Sequence, residues 1–377
     1  MNEELFDELL ESVREGGAIL RGEKAPSRKS EIESPNVKQI RELRATLNDF
    51  LQTQADARTQ LCRLEVASLA ADHCTLDGVV LDDETLAAAK AALFPSFPSL
   101  SFDTSAVQVL RPGRPLAVSV NLTGLLAQPS WLAEQLSQLL DGQPLEVMQE
   151  EGRWAFVRQT DGYLGWAYVP YLTGNPLPVP THLVSAPLAL LHEAPQEDAP
   201  LVGRVVGGSA VYAAAVEAGW AWLALSSGAQ GWTSTTHLRS LDALPQREQD
   251  CRAQMLADGS QFIGVPYLWG GCSALGIDCS GFVQLLHRLV GVTIPRDADM
   301  QFAAGRPVEP PFQPGDLLFF SGDDPRAITH VGMSLGGWRM LHASRARNGV
   351  YRDDVQAMPH LRDAFVGART FVGAIHE

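Results

Sequence analysis

Positive charge, cysteine and long apolar runs are all scarce in this 377-residue chain. Its 29 lysine and arginine residues face 44 acidic residues, which gives a formal net charge of −15. This balance argues against nucleic-acid binding, which requires a basic face. It also provides no attraction to anionic membranes or anionic cell-wall polymers. A small soluble substrate is therefore favoured over docking on a large anionic polymer.

The five cysteines do not form the pattern of a disulfide framework. Their number is odd, they are scattered along the chain, and none forms a zinc-type CxxC pair. The histidines also lack a metal-ligand spacing such as HExxH. The sequence therefore predicts a reducing compartment and neither a metal nor another cofactor.

No stretch approaches the roughly 20 apolar residues that a membrane-spanning helix needs. The opening segment MNEELFDELLESVREGG is acidic and amphipathic, and it lacks the basic, apolar and cleavage regions of a secretory signal. We therefore expect a cytoplasmic protein without a membrane span. The oligomeric state stays open.

The most informative stretch runs from a glycine-rich loop, Tyr267 to Gly271, to Cys279. An apolar run with helical spacing follows the cysteine and closes at Gly291. Cys279 is thus predicted at a helix N-terminus, where free N–H groups and the helix dipole stabilise a thiolate. A lone cysteine is more often a small buried apolar residue. The histidines further along the chain favour a nucleophile instead.

His330 and His342 lie in two predicted strands, Ile328 to Leu335 and Trp338 to His342. A three-residue loop from Leu335 to Gly337 would place the two histidines opposite each other on one sheet face. A two-residue loop would put them on opposite faces. Catalysis requires the odd-length loop, with one histidine as base and the other orienting it.

The motifs YLWGG, DCSGF, PRDAD, PGDLLFF, THVGM and LHAS occur in this order over residues 245–377. Together they resemble the motif series of the NlpC-type papain-like cell-wall endopeptidases. The resemblance implies that Cys279 is the nucleophile, His330 the base and His342 the orienting residue. It also implies that the Tyr267 hydroxyl lies near the oxyanion. Further substrate-binding candidates in these motifs are Trp269, Asp278 and Ser280.

Asp297 has two interpretations. It can be the N-cap of a short helix after Pro295, or its carboxylate can bind a free amino group. In the family branch that cleaves murein peptides with free L-Ala termini, an aspartate at this position binds the ammonium group, and we prefer this interpretation. Ala298 follows where relatives carry serine. Arg296 pairs either with the substrate α-carboxylate or with a neighbouring acid, and both alternatives stay open.

An internal repeat precedes the cysteine region. Glu151 to Leu172 recurs without gaps 66 positions later, as Glu217 to Leu238. Each copy has short alternating strands broken by glycine turns, which is typical of a small β-barrel. The pattern resembles bacterial SH3-like domains, and we expect its tryptophans in the barrel cores. In related enzymes such barrels narrow the cleft, so a first-barrel tyrosine is a candidate for lining it. Tyr163 is preferred over Tyr168 and Tyr171 because it lies at a glycine-bounded turn.

The region before the barrels is less informative. Its first 28 residues resemble the leading segment of helix-turn-helix antitoxins, and we expect a gene-fusion remnant or a mobile tail rather than DNA binding. Residues 57–114 read as strand, strand, helix and strand, loosely similar to BON-like domains. A packing or spacer role is favoured for this module.

The predicted fold is a multidomain α+β protein. A papain-like NlpC-type catalytic domain follows two small SH3-like β-barrels and a small N-terminal α/β module. The predicted segments are a helical N-terminal extension (1–56), the BON-like module (57–114), the first barrel (115–174), the second barrel (175–243) and the catalytic domain (244–377).

The predicted function is hydrolysis of a peptidoglycan-derived peptide through a thioester on Cys279. The resemblance supplies the bond, which joins γ-D-Glu to a diamino acid in a muropeptide with a free L-Ala terminus. Without a secretory signal this implies murein peptide recycling. Two rivals stay open. One is an amidase or acyltransferase of the same fold that acts on another substrate, and the other is a non-catalytic protein that binds cell wall through its barrels.

Overall fold

The computed structural model describes residues 35–53, 56–175, 178–324 and 326–373. The amphipathic helix predicted near the N-terminus lies outside these residues. The described chain divides into two compact units. The first comprises residues 35–53, 63–78 and 87–108, and the second comprises 56–62, 79–86 and 109–373.

The N-terminal module has the predicted order of two strands, a helix and a strand, preceded by a further helix. The three strands pair in the order β1-β2-β3. The second helix begins after Asp82, whose carboxylate accepts a hydrogen bond from the Thr85 N–H at 2.8 Å. The elements are α1 (Pro35–Thr53), β1 (Cys62–Ala70), β2 (His73–Val80), α2 (Asp83–Leu93) and β3 (Ser101–Val109).

The first barrel is a seven-stranded sheet in the order β10-β4-β7-β8-β9-β5-β6. Alternation along the strands turns small and branched apolar side chains, such as Ala155 and Val157, into its core. A 3-10 turn, Val169–Tyr171, precedes the last strand. The strands are β4 (Pro115–Val118), β5 (Leu122–Leu126), β6 (Gln135–Leu140), β7 (Pro144–Glu151), β8 (Trp154–Arg158), β9 (Leu164–Tyr168) and β10 (Leu172–Thr173).

The second barrel repeats this arrangement in the order β13-β12-β16-β15-β14-β11-β17. Two 3-10 turns, Thr235–His237 and Leu241–Ala243, flank its last strand. The strands are β11 (His182–Val184), β12 (Leu188–His192), β13 (Leu201–Val206), β14 (Ala210–Glu217), β15 (Trp220–Ala224), β16 (Gln230–Ser234) and β17 (Leu238–Ser240).

The repeated tryptophans are not in the barrel cores, contrary to expectation. Trp154 and Trp220 begin equivalent strands, and each is half-buried on the outer face because the next residue, an alanine, points inward. Trp154 instead packs on Trp131, with ring centroids 4.9 Å apart.

The catalytic domain wraps helices around a six-stranded sheet in the order β20-β25-β21-β22-β23-β24. Its core combines the apolar face of the cysteine helix with the central strands β21 and β22. The helices are α3 (Glu248–Ser260), α4 (Cys279–Leu289), α5 (Ala298–Ala304) and α6 (Pro359–Ala364). The strands are β18 (Cys272–Ser273), β19 (Gly276–Ile277), β20 (Arg306–Val308), β21 (Leu317–Ser321), β22 (Ile328–Gly336), β23 (Arg339–Ser344), β24 (Gly349–Asp354) and β25 (Phe365–Thr370).

The turn between β22 and β23 corrects the predicted loop. Ser334 pairs with Met340 and Gly336 with Arg339, so the turn has two residues and Leu335 forms a β-bulge. The bulge adds one residue to one strand and changes the parity as an odd-length loop would. His330 and His342 therefore share a sheet face, but they lie diagonally instead of directly opposite.

None of the helices in the described ranges combines the length and the apolar character that crossing a bilayer requires.

Candidate active site

Cys279 is the first residue of α4 and lines a cavity of about 590 Å³. Asp278 caps this helix, and its carboxylate accepts a hydrogen bond from the Gly281 N–H at 2.7 Å. The apolar stripe of α4 is buried in the domain core, so the helix holds the thiol at a defined place. Only 8% of Cys279 is exposed.

The resting thiol differs from the expected thiolate. Burial raises the pKa of Cys279 to about 12, and the negative charge of Asp278 adds to this rise. The N–H groups of Val331 and Ser280 act in the opposite direction without compensating for burial. Cys279 is therefore protonated at rest, and attack requires a base that removes its proton.

Three side chains on successive strands form a hydrogen-bonded chain leading to the cleft. His330 Nε2 on β22 and His342 Nδ1 on β23 are 2.7 Å apart. His342 Nε2 lies 2.9 Å from Asp353 Oδ2 on β24. The diagonal contact passes over Gly332, where an added Cβ would lie 3.0 Å from the His342 Cβ. Glycine at this position keeps the space for the His342 ring free.

This chain determines which nitrogen of His330 can act as base. The Asp353 carboxylate can only accept, so His342 carries its proton on Nε2 and accepts at Nδ1. His330 then donates from Nε2 and keeps the Nδ1 lone pair. Burial, followed by the charge of His342, lowers the pKa of His330. Burial also lowers the pKa of His342 in spite of Asp353. Both rings are neutral at rest, so His330 Nδ1 is a competent proton acceptor.

Arg296 is placed differently from a substrate-binding residue. It is 1% exposed and donates to Asp278 Oδ2 at 2.7 Å and to Ser280 Oγ at 2.9 Å. Its Nε reaches Ser137 of the first barrel at 3.0 Å. Of the two predicted partners of Arg296, the structure shows the neighbouring acid, Asp278. The buried guanidinium is not accessible to a substrate carboxylate. Asp278 and Ser280 line the cavity and at the same time form this support beneath the nucleophile.

Tyr267 and Trp269 lie along the same cavity. Burial and the neighbouring Cys279 raise the pKa of Tyr267, so its hydroxyl keeps the proton that it would donate to an oxyanion. Trp269 is 59% exposed, and its Nε1 donates to Glu134 of the first barrel at 2.7 Å. This contact joins the glycine-rich loop to the barrel.

Asp297 occupies the N-cap position of α5, but its side chain makes no capping hydrogen bond. Its Oδ2 accepts hydrogen bonds from the Tyr163 hydroxyl at 2.8 Å and from Arg58 Nη1 at 2.9 Å. The structure thus brings Tyr163 to the cleft, whereas Tyr168 and Tyr171 pack on Trp131. This end of the cavity is acidic, because Asp299 and Glu134 also line it.

Sequence reasoning missed several residues of the site, among them Arg58, Glu134, Asp299 and Asp353. Arg58 and Glu134 lie far from the cysteine motifs, in segments without a motif of their own. Asp353 had one usable signal, since an acid on the strand after His342 can orient that histidine. No group of three His, Cys, Asp or Glu side chains in the described parts of the chain is arranged to hold a metal ion.

A buried thiol, a neutral imidazole with an oriented lone pair and a hydroxyl donor define a cysteine hydrolase of carbonyl compounds. The family model described as NlpC/P60 matches residues 264–370, and the model described as bacterial dipeptidyl-peptidase Sh3 domain matches residues 125–168. These matches confirm the catalytic fold and the SH3-like barrel.

Curated relatives agree with these matches. A γ-D-glutamyl-L-lysine dipeptidyl-peptidase of Bacillus cereus is 30% identical over 263 residues, which cover 63% of this chain and 75% of the relative. The Bacillus subtilis protein of the same name is 32% identical over 228 residues, which cover 57% of this chain and 74% of the relative. The crystal structure of an NlpC/P60 family protein from Bacillus cereus matches with a TM-score of 0.61 and 25% identity, covering 68% of this chain and 99% of that one. The chain belongs to the NlpC/P60 family and is a cysteine peptidase.

Proposed function

We propose that the protein hydrolyses the amide bond between γ-D-Glu and a diamino acid in peptidoglycan-derived peptides that carry a free N-terminal L-Ala. The observation that carries the proposal is the carboxylate of Asp297, held by Tyr163 and Arg58 in the cavity that also contains Cys279. A carboxylate there offers a partner to an ammonium group in the same cleft as the nucleophile. The names of the two Bacillus relatives, both γ-D-glutamyl-L-lysine dipeptidyl-peptidases, support the same substrate class.

The reaction steps follow from the neutral resting states of Cys279 and His330. His330 Nδ1 takes the Cys279 proton while the sulfur attacks the amide carbon. The Cys279 N–H, free because it lies in the first turn of α4, and the Tyr267 hydroxyl would stabilise the oxyanion. The imidazolium then protonates the leaving amine of the diamino acid, which leaves a thioester on Cys279. Water, deprotonated by His330, hydrolyses the thioester and restores the thiol.

The requirement for a free amino terminus also suggests a biological setting. A muropeptide gains a free L-Ala amine only after another hydrolase has detached the peptide from the sugar. We therefore place the reaction in murein peptide recycling, downstream of such a cleavage, and propose a cytoplasmic location. The five cysteines are free thiols in the structure, which is compatible with a reducing compartment.

The test is hydrolysis of L-Ala-γ-D-Glu-meso-diaminopimelate and of its N-acetylated form by wild type and Cys279→Ala, with products identified by mass spectrometry. We expect wild type to cleave the free-amine peptide, with release of L-Ala-D-Glu, at least about 100-fold more efficiently than the acetylated one, and Cys279→Ala to cleave neither. The L-lysine peptide, run in parallel, reports the preferred diamino acid. Equally efficient cleavage of the free and the acetylated peptide would remove the role of Asp297.

No cleavage of any of these peptides would favour one of two rivals. An amidase or acyltransferase of the same fold would release product from another amide substrate. A wall-binding protein would instead retain insoluble peptidoglycan through its barrels, which a sedimentation assay with Cys279→Ala would detect.

A further inference from the structure

Arg58 enters the cleft from a part of the chain that carries no recognised motif. It follows α1 in a turn in which the N–H groups of Thr59 and Gln60 donate to the Asp56 carbonyl. The Arg58 carbonyl accepts a hydrogen bond from the Leu164 N–H at 2.8 Å, directly beside Tyr163. This turn is therefore anchored to the barrel strand that follows the cleft tyrosine.

All five N–H donors of the Arg58 guanidinium are used by carboxylates. Nε and one Nη2 donor bind Asp56, at 3.0 and 2.7 Å. Nη1 and Nη2 bind Asp299 at 2.7 and 2.6 Å. The remaining Nη1 donor binds Asp297 at 2.9 Å. No donor remains for a substrate carboxylate, so Arg58 acts on these acids and not on the substrate directly.

The charge of the cluster still favours a cationic ligand. Three carboxylates surround one guanidinium, so a net negative charge remains. Burial acts to raise the pKa of Asp299, but hydrogen bonds from Arg58 outweigh it and lower the pKa. Arg58 thereby allows several ionised acids to lie close together, where like charges would otherwise repel.

One oxygen of Asp297 is left over. Both hydrogen bonds to this carboxylate, from Tyr163 and Arg58, end on Oδ2. Oδ1 accepts none from any residue that the structure describes, and the Asp297 side chain is 26% exposed. Because Tyr163 and Arg58 both bind Oδ2, they leave Oδ1 as the acceptor for an incoming ammonium group.

We propose that Arg58 is a positioning residue of the amino-terminus subsite, which holds Asp297 so that Oδ1 receives the substrate ammonium. This proposal rests on the proposed function. It makes the turn at residues 56–60 part of the peptidase unit, although more than 200 residues separate it from Cys279. The opposing possibility is that Arg58 blocks the subsite, because it competes with the substrate ammonium group for Asp297.

The experiment compares Arg58→Gln, Arg58→Lys and the matched control Arg158→Gln on the free-amine and N-acetylated peptides. Arg158 also pairs with a carboxylate, Glu146 at 2.7 Å, and is similarly exposed, but it does not line the cleft. For Arg58→Gln we expect KM for the free-amine peptide to rise about 10- to 100-fold with kcat nearly unchanged. The preference for the free amine over the acetylated peptide falls in proportion.

Arg58→Lys restores the cation but cannot bridge three carboxylates, so we expect an intermediate KM. Arg158→Gln should match wild type. Thermal melting of each variant checks the fold, and a fold defect alone would lower kcat on both peptides without changing their ratio.

Three outcomes would overturn the proposal. The first is that folded Arg58→Gln keeps the wild-type KM and the wild-type ratio of activities on the free-amine and acetylated peptides. The second is a lowered KM, which would mean that Arg58 blocks the subsite. The third is an equal loss of activity on both peptides. Wild type that cleaves neither peptide would instead refute the proposed function before Arg58 is tested.

Discussion

The two ends of the cleft are built in different ways. The catalytic end uses one domain, in which Cys279 begins a helix and His330, His342 and Asp353 lie on three adjacent strands. The end that holds Asp297 joins distant parts of the chain, since Tyr163 and Arg58 lie 134 and 239 positions from Asp297. The proposed reaction chemistry is thus local to one fold, whereas the proposed recognition of the substrate amine depends on how separate segments pack.

The two barrels share a turn but differ in what they contribute to the cleft. The turn that carries Tyr163 recurs in the second barrel at Ala229. In the first barrel the Gln159 N–H donates to the Tyr163 carbonyl, and in the second barrel the Leu225 N–H donates to the Ala229 carbonyl. Gly162 and Gly228 both adopt positive φ, at 86° and 82°. Among the described residues, the second barrel contributes none to the cleft lining. The first barrel contributes Tyr163 from this turn, together with Glu134 and Leu136.

The largest effect is expected at the catalytic end, from Asp353→Asn. An amide that donates to His342 Nε2 reverses the tautomers of both histidines, so His330 Nδ1 carries a proton and cannot accept one. We expect kcat to fall about 10²- to 10⁴-fold with KM little changed. Steady-state kinetics on the free-amine peptide measure this. A loss below threefold would show that the hydrogen-bonded chain does not set the tautomer.

Tyr163→Phe should give a smaller loss of a different kind. It removes one hydrogen bond to the Asp297 carboxylate, and a hydrogen bond to a charged group is worth about 1.5–3 kcal/mol. We therefore expect kcat/KM for the free-amine peptide to fall about 10- to 100-fold through KM. Tyr212→Phe in the second barrel is the matched control and should be neutral. Equal losses on the acetylated peptide would contradict a role in amine recognition.

The pH profile of kcat tests whether His330 is neutral at rest. Burial and His342 lower the pKa of His330 below its usual 6.5, so the base stays unprotonated as the pH falls. A base with a pKa of 6.5 would retain about a tenth of its activity at pH 5.5. We expect at least half to remain, with the acid limb below pH 5.5. An acid limb at or above pH 6.5 would mean that His330 is protonated more easily than its surroundings imply.

The smallest effect is expected from Glu134→Gln at the rim. Its carboxylate accepts a hydrogen bond from the exposed Trp269, and solvent screens its charge. We expect KM for the free-amine peptide to rise about two- to fivefold with kcat unchanged. A change of more than about 30-fold would mean that Glu134 binds the ammonium group itself.

Sequence reasoning worked best where a signal was local. The apolar stripe after Cys279, the glycine stop and the 66-residue repeat predicted the nucleophile helix and the barrels, and the fold class is confirmed. The shared face of the two histidines was also predictable from strand parity, although a bulge replaced the expected loop. Such features depend only on neighbours along the chain or on one turn.

What could not be predicted depends on burial and long-range packing. Helix position alone favours a Cys279 thiolate, but the pKa rises because the tertiary structure excludes water from the thiol. Arg296 has the charge of a carboxylate binder, yet its full burial commits it to Asp278. Arg58 has no motif, and only the folded chain brings it to Asp297.

The central claim is that Asp297 selects substrates by their free amine while Cys279 performs the hydrolysis. Its most direct test is the ratio of kcat/KM for the free-amine to the N-acetylated peptide, in wild type and in Asp297→Asn. We predict a ratio of at least about 100 for wild type and a fall to within about threefold of unity in the variant. The acetylated peptide should be cleaved equally by both proteins. A variant that keeps the wild-type ratio would contradict the account.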